Sequence, residues 1–381
     1  MNLLYISNAR LPTEKAHGVQ IMNMSSSFSK LFDEVTLLLP WRNNKIKGDP
    51  FLYYGIKKTF SIRKVPSLDL IFLGKIGFYI QMFSFSFWSS LFVLFSRQNV
   101  IYGRDPFILL FATFLHKNVF WEAHTQKNNF FIKSLLRRCK GVVCISSGLK
   151  EYFIQNGLSQ EKALVEPDAV DEKIFDIALS KEEARSTLSL PSNRIILGYI
   201  GKFQTMGKEK GVKEIIEAFS VIVRAYPETF LLLVGAQPQE KKVFEEYAFA
   251  LGIPKIDFHI EEHKKQSEIP VYLKACDILI MNYPYTEHYA KFMSPLKLFE
   301  YMISKRIIVT SDLPSLREVI GDNEAVFFQD SPNKDKLQMA LDSILQNISS
   351  YANMAENAYQ KVQSYTWDKR AKRIFHFIKK I

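Results

Sequence analysis

Ser294-Pro295-Leu296-Lys297-Leu298-Phe299-Glu300-Tyr301-Met302 is the stretch on which the reading of this chain turns. Ser294 is a good N-cap, because its hydroxyl can accept an orphan N–H of a first helical turn. Pro295 then takes the first helical position, where a missing N–H costs nothing. Leu296, Phe299 and Met302 give an inward stripe at helical spacing. Before the cap lies an irregular run, residues 282–293, and before that an apolar strand, Ile278–Met281. A strand, a loop and a bare helix N-terminus favour an anion, since unpaired N–H groups and the helix dipole point the same way. Glu300 falls in the second turn, where a carboxylate suits sugar hydroxyls better than phosphate. The competing reading is a capped surface helix with a solvated glutamate.

Upstream, Arg194–Ile200 reads as an apolar strand that starts a second domain. Gly201-Lys202-Phe203 follows, and Lys208-Glu209-Lys210-Gly211-Val212 enters a helix, Lys213–Ala225. Two cations, Lys202 and Lys210, flanking a helix N-terminus suit a diphosphate, because charge and N–H groups converge. A strand at Leu231–Gly235 and a helix at Glu240–Leu251 come next. The polar segment Phe175–Asn193, with a short helix, reads as the connection between domains. Downstream, Ser331–Asn347 and Ser350–Gln363 have helical spacing, and a last helix runs from Ser364-Tyr365-Thr366-Trp367-Asp368 to Ile381.

The first half opens with a strand, Asn2–Ser7, a loop, Asn8–Gly18, a helix, Val19–Phe32, and a strand, Val35–Leu39. That is the first unit of a doubly wound sheet. No G-x-G-x-x-G run is present, so a dinucleotide site is not supported, but Gly18 permits close approach of a phosphate or sugar. Strands at Val100–Tyr102, Val119–Glu122 and Val142–Ile145 each end in polar residues, the edge at which open α/β sheets bind ligands. His124, just past the second of these, is a candidate for chemistry, or else a satisfied histidine at a strand end. From Gly77 to Phe95 no residue is charged, a length that could span a bilayer. Its serines and glutamine, and the strand that follows at once, favour a helix of the first domain instead, aromatic on one face and docked on the sheet or a membrane surface.

Several of these segments together resemble family 4 glycosyltransferases of the GT-B fold. SPLKLFEYM followed by Ser304-Lys305-Arg306-Ile307-Ile308-Val309-Thr310, then Pro314-Ser315-Leu316-Arg317-Glu318-Val319-Ile320, is similar to the family's donor-binding segment. Gly201-Lys202 with Lys210-Gly211 resembles its "G-R … K-G" element. Ala16-His17-Gly18-Val19-Gln20 and Trp121-Glu122-Ala123-His124 resemble its first loop and its histidine segment. Val165-Glu166-Pro167-Asp168-Ala169-Val170-Asp171 is similar to its "P-N-G-V-D" turn, with Asp168 and Ala169 in place of Asn and Gly. The resemblance implies two doubly wound α/β domains facing a cleft: residues 1–180 on the acceptor side, 181–363 binding a nucleotide-sugar, and 364–381 closing back on the first. It implies that Glu300 holds the ribose, that Ser294, Pro295 and Leu296 line the donor, that Lys202 and Lys210 meet the diphosphate, and that His124 lies beside the transferred sugar with Gly18 nearby. Many members carry a second glutamate eight positions before the first; here that residue is Phe292.

Composition bounds the partners. The chain has 381 residues, 47% hydrophobic and 23% charged, with 31 Phe and 17 Tyr, which is globular. Three cysteines without a C-x-x-C fit a reducing cytoplasm, and Met1–Ser7 lacks a basic signal-peptide start. The net charge is +11, and residues 1–150 alone carry 20 Lys and Arg against 7 Asp and Glu. Such asymmetry suggests a surface that meets something anionic. No Asp-x-Asp or His/Cys cluster suggests a metal, and no nucleic-acid motif is present. The resemblance implies a retaining, metal-independent hexosyltransferase with no cofactor. It would move a sugar from a UDP- or GDP-type donor to a glycan or lipid-linked acceptor in polysaccharide or lipopolysaccharide synthesis, peripherally attached to the cytoplasmic face of an anionic membrane. The alternatives are a sugar-nucleotide epimerase of the same fold and a non-catalytic basic protein that binds membrane or nucleic acid.

Overall fold

A computed structural model describes residues 1–205, 208–329 and 332–381. The chain forms two compact units. The first gathers Met1–Asp168, Phe292–Ser294 and Trp367–Ile381, the second Ala169–Lys291 and Pro295–Thr366.

The first unit is built on seven parallel strands: β1 (Asn2–Ile6), β2 (Glu34–Pro40), β3 (Ser61–Val65), β4 (Val100–Gly103), β5 (Val119–Ala123), β6 (Gly141–Cys144) and β7 (Ala163–Val165), in the order β3-β2-β1-β4-β5-β6-β7. Leu3, Leu4, Tyr5 and Ile6 of β1 are all buried. Burial of both faces is what a parallel sheet covered by crossover helices requires. The order reverses between β1 and β4, which places Asn8 and Asp105 at that carboxyl edge, where Asp105 Oδ2 accepts the Asn8 backbone N–H at 2.7 Å.

The second unit carries β8 (Ile195–Ile200), a short antiparallel pair β9 (Gln204–Thr205) and β10 (Lys208–Glu209), then β11 (Thr229–Ala236), β12 (Phe258–Glu262), β13 (Ile278–Met281), β14 (Ile307–Ser311) and β15 (Val326–Phe328). Its six-stranded parallel sheet has the order β12-β11-β8-β13-β14-β15, the doubly wound arrangement with its switch point between β8 and β13. Ile215, Ile216, Phe219 and Leu341 pack from the helices Val212–Ala225 and Lys334–Gln346 onto Leu231, Leu233 and Ile280.

Several boundaries differ from the sequence reading. The first helix runs Ala16–Phe28, so His17 and Gly18 sit inside it and not in the preceding loop. Residues 282–293 are not wholly irregular, since Glu287–Lys291 is a helical turn. The helices expected over 331–347 and 350–363 are Lys334–Gln346 and Ala352–Val362; Ser331 lies outside the described residues. The polar connection is not a free linker. Its helix Lys181–Thr187 is started by a Ser180–Glu183 capping box. Arg185, 2% exposed, donates to the carbonyls of Ala275 and Ser192, each at 2.9 Å. The last helix, Trp367–Lys380, belongs to the first unit, where the Phe375 ring lies 4.9 Å from Phe32. All three cysteines are free and buried.

The helix Gly74–Phe95 is apolar on the wrong side. Gly77, Gln81, Phe85, Ser86, Ser89 and Val93 are its buried residues, and Gln81 exchanges hydrogen bonds with Asn8 at 3.0 and 2.8 Å. Most of its rings point away: Phe78, Tyr79, Phe83 and Phe87 are each between 46% and 59% exposed, while Phe85 is buried. A helix of a water-soluble domain turns its apolar stripe inward; this one turns inward a stripe in which Gly77, Gln81, Ser86 and Ser89 outnumber Phe85 and Val93. Ile71–Phe95 is long and apolar enough to cross a bilayer by length and composition, and only 28% of its most apolar 18-residue window is buried.

Candidate functional site

The strongest site in the second unit lies at the carboxyl edge of its sheet, beside the switch point. Gly201 follows β8 directly, and its φ of +148° favours glycine; a Cβ there would also press on the end of the Lys297 side chain, with Nζ at 2.8 Å. Gly211, at φ +73°, starts the helix Val212–Ala225 with no side-chain cap, and a Cβ on it would collide with Asn282. Asn282, buried at the end of β13, donates to the Gly211 carbonyl at 2.8 Å. This bond ties the loop after β13 to the helix entrance.

Around that edge stand three lysines. Lys202 follows Gly201 directly. Lys210 Nζ lies 5.9 Å from the Tyr283 ring, and its pKa is pushed down to about 8, by burial first and then by Lys202. Lys297 is 8% exposed. Its ammonium sits 3.5 Å from the centroid of Tyr199 and 5.8 Å from that of Tyr283. Burial, then repulsion from Lys210, holds Lys297 well below the ordinary lysine range, while Glu300 pulls it back up. Among the described residues none of the three is hydrogen-bonded or ion-paired to a carboxylate. Three converging cations without a carboxylate within ion-pair distance make an anion site in electrostatic terms.

Glu300 lies one turn beyond Lys297 on the helix Leu296–Ile303. Burial raises its carboxyl to about 7, against the opposing effects of Lys297 and a hydrogen bond from Gln266. The helix has no solvated face like that of the competing reading: six of its eight residues are buried, Lys297 among them. Leu296 and Glu300 are half-buried, so Leu296 is not part of a fully inward stripe.

Ser294 does not cap this helix. The N-cap is Pro295, and no side chain caps the end. The Ser294 hydroxyl accepts the Asp168 backbone N–H at 2.7 Å, a bond within the first unit. Phe292, which stands where the resemblance calls for a glutamate, is 3% exposed and packs on Tyr152 with ring centroids 5.8 Å apart. It is core of the first unit, and a carboxylate there would be buried among rings. Gly18 also has a packing role: the space its side chain would fill holds the Tyr54 hydroxyl and a Thr13 methyl, and that hydroxyl donates to the Thr13 carbonyl at 2.7 Å.

In the first unit, His124 stands past the end of β5 in a buried charged network. Glu122 Oε1 lies 3.2 Å from His124 Nε2 and 2.6 Å from Arg370 Nη2 of the last helix. Gln20 donates to Glu122 and accepts from Arg104. Burial alone would raise the Glu122 carboxyl; Arg370, His124 and Arg104 outweigh it and hold it well below the carboxylate range. Burial and then Arg104 push His124 down to about 4. The ring is therefore neutral at pH 7, with Nε2–H donating to Glu122 and Nδ1 left as an acceptor. Nothing in the sequence pointed to Arg370, which lies 248 residues from Glu122. Among the described residues no group of three or more His, Cys, Asp and Glu side chains could hold a metal ion.

Two units with doubly wound parallel sheets define the GT-B fold, and solved structures of that fold match over nearly the whole chain. A glycosyltransferase from Rickettsia africae covers 100% of this chain and 98% of its own, with a TM-score of 0.77 and 15% identity. HepE from Anabaena, crystallised with UDP and glucose, covers 100% and 99%, with a TM-score of 0.75 and 14% identity. WaaG, a glycosyltransferase involved in lipopolysaccharide biosynthesis, covers 99% of each, with a TM-score of 0.68 and 15% identity. Residues 180–361 match the family model described as glycosyl transferases group 1, the kind of family that the resemblance implied. A curated relative, the D-inositol 3-phosphate glycosyltransferase of Corynebacterium urealyticum, is 21% identical over 243 residues, 61% of this chain. The chain spans about half of that relative's length, 55%.

Proposed function

We propose that the protein is a retaining hexosyltransferase that moves a sugar from a UDP- or GDP-type nucleotide-sugar to a hydroxyl of a glycan or lipid-linked acceptor. The observation that carries this reading is the lysine cluster, Lys202, Lys210 and Lys297, beside Glu300 at the switch-point edge. In the transfer, the bond from the anomeric carbon to the diphosphate oxygen breaks, the acceptor oxygen bonds to that carbon, and the acceptor hydroxyl's proton passes to the departing diphosphate oxygen. Negative charge grows on the departing diphosphate, and fixed cations in a partly dehydrated site are worth most there. Burial lowers the pKa of Lys297 and Lys210, with Lys210 repelling Lys297 and Lys202 repelling Lys210, and an arriving diphosphate reverses that shift and favours the charged lysines. The half-buried carboxylate of Glu300 accepts from the ribose hydroxyls. On this reading His124 meets the transferred sugar as a neutral ring with an acceptor nitrogen. Neither cofactor nor metal ion takes part, because the lysines fill the role of the metal.

The setting proposed is the cytoplasmic face of an anionic membrane, with polysaccharide or lipopolysaccharide as the pathway. Support comes from the outward aromatic face of Gly74–Phe95. The buried Phe107 ring joins Phe83 of that face to the exposed Phe111 and Phe131, in pairs 4.9 to 5.2 Å apart, and on the helix of Phe111 the exposed Phe114 has the Arg138 guanidinium 3.9 Å over its ring. Apolar rings edged by cations fit a lipid interface. The test of function is a panel of UDP-, GDP- and ADP-sugars, scored by thermal shift and then by transfer of labelled sugar to lipid extracts. Stabilisation by a nucleotide-sugar, with its sugar passing to an acceptor, is expected. Failure of every donor to bind overturns the reading.

A further inference from the structure

Arg104 is a cation of the first unit that the donor reading leaves unused. It follows β4 directly, where the sheet order reverses between β1 and β4, at the edge where open α/β sheets bind ligands. Its backbone is held, since the Trp121 indole donates to the Arg104 carbonyl at 3.2 Å. Its side chain is held at one corner. Nη1 donates to Gln20 Oε1, and Gln20, 1% exposed, is itself fixed through its Nε2–H to Glu122. Among the described residues Nε and Nη2 have no acceptor, and no carboxylate lies within ion-pair distance of the guanidinium. Arg104 is half-buried, and neither of those nitrogens is sealed from solvent. A planar guanidinium pinned at one corner presents its other N–H groups in a fixed direction, the geometry that takes a carboxylate or phosphate with two bonds.

The carboxylates that feel its charge are engaged elsewhere. Asp105 Oδ2 takes the Asn8 N–H at 2.7 Å and the Ser7 hydroxyl at 3.4 Å. Glu122 serves Arg370, Gln20 and His124. Burial raises the Asp168 carboxyl to about 6, and Arg370 opposes that more than Arg104 does. On the other side stands His17, half-buried and without a hydrogen bond among the described residues. Burial first, then Arg104 and Lys15, push it down to about 4, and no carboxylate acts against them. The helix it opens, Ala16–Phe28, has no acidic residue in its first turn. The field at His17 is thus positive, within residues 1–150, which carry 20 Lys and Arg against 7 Asp and Glu.

We propose that Arg104 determines the acceptor class by binding an anionic group, phosphate or carboxylate, on the acceptor sugar, with His17 beside it. The inference rests on the reading of the first unit as the acceptor side of a glycosyltransferase. Two N–H bonds from a fixed fork orient an acidic sugar as well as hold it, and so select which hydroxyl is presented for transfer. An anion placed there also offsets the charge that keeps His17 neutral, so the imidazole can take a proton and add a further donor.

The test titrates glucose 6-phosphate, glucuronate and neutral glucose calorimetrically into the full chain as parent, Arg104→Gln, Arg104→Lys and Lys210→Ala, with UDP titrated separately. One of the acidic sugars is expected to bind the parent about tenfold or more tighter than glucose, and which one does separates phosphate from carboxylate. Arg104→Gln should weaken it by about tenfold or more, and Arg104→Lys, which keeps the charge and loses the fork, by less; both should keep the affinity for UDP. In NMR titrations the His17 pKa should move up from about 4 when the acidic sugar is bound, a change that a merely structural arginine would not give. Equal binding of glucose, or undiminished binding in Arg104→Gln, overturns the proposal. So does loss in Lys210→Ala with retention in Arg104→Gln, which would place the probe at the donor site, and so does a parent that binds UDP and neither acidic sugar. A parent that binds acidic sugars through Arg104 and no nucleotide overturns the donor reading, and the acceptor role of Arg104 with it. If Arg104→Gln fails to fold, Arg104→Lys and the histidine titration decide: unchanged affinity with an unmoved His17 overturns the assignment.

Discussion

Glu300→Gln tests the site through the pH dependence of stability. The Glu300 carboxyl sits at about 7 in the folded chain against an ordinary 4.5. The folded state therefore binds the proton more tightly than the unfolded state, so the effect is a penalty that grows with pH. It is absent below about pH 4.5, builds between 4.5 and 7, and is complete above 7. A separation of that size corresponds to on the order of 3 kcal/mol, an upper bound because the side chain is half-buried and partly screened. Glutamine cannot ionise and escapes the penalty. The variant should match the parent near pH 4.5 and melt higher at pH 8, by up to roughly 6–12 °C at about 2–4 °C per kcal/mol for a unit of this size. The same variant should bind UDP about tenfold more weakly, because an amide offers one acceptor oxygen to two hydroxyls. Scanning fluorimetry from pH 4.5 to 8.5, with and without UDP, reads both. A gap between parent and variant that does not change with pH would refute the assignment of a buried, raised carboxyl. An unchanged UDP affinity would remove Glu300 from the nucleotide site.

Lys297→Met should weaken UDP binding by about tenfold or more without lowering the melting temperature of the free protein, as calorimetry and fluorimetry will show; equal affinity would take Lys297 out of the site. UDP affinity of the parent should fall as pH rises past about 8, where Lys210 loses its proton, and that slope should flatten in Lys210→Ala and move to higher pH in Lys202→Ala, where Lys210 has lost a repelling neighbour. Arg370→Met should cost about 3–5 kcal/mol in denaturant unfolding, because Glu122 is left buried without its cation. It should also raise the His124 pKa as read by NMR, since Arg370 opposes protonation there; a stable variant with an unmoved histidine contradicts the network. Anionic vesicles should sediment the parent at low salt and release it at high salt, with Phe78, Phe83 and Phe87 changed together to Ser abolishing the effect. Retention until detergent is added would instead show that Gly74–Phe95 spans the bilayer.

Much of the architecture was legible in the residues. β13 has the limits that its apolar run Ile278–Met281 announced, and β8 and the helix Val212–Ala225 fall within two residues of their expected bounds. Those features rest on local interactions: alternation and continuous apolar runs in strands, helical spacing, and glycine where a chain must turn. Gly201 and Lys210 could be read because strand–glycine–cation–helix is itself a local pattern. Lys297 could not. Between Leu296 and Leu298 on an amphipathic helix it reads as one more solvated lysine, and its place 3.5 Å over Tyr199 depends on packing across 98 residues of chain. Ser294 shows the converse, a good local cap whose hydroxyl is taken by Asp168, 126 residues away. The aromatic helix Gly74–Phe95 makes the same point on a larger scale. Its composition announced the element, but the direction of its rings was set by Asn8 and Ser67, which give Gln81 its hydrogen bonds on the inner face. Short-range forces set which elements form; which side chains meet is decided by long-range burial and charge, which one-dimensional spacing does not carry.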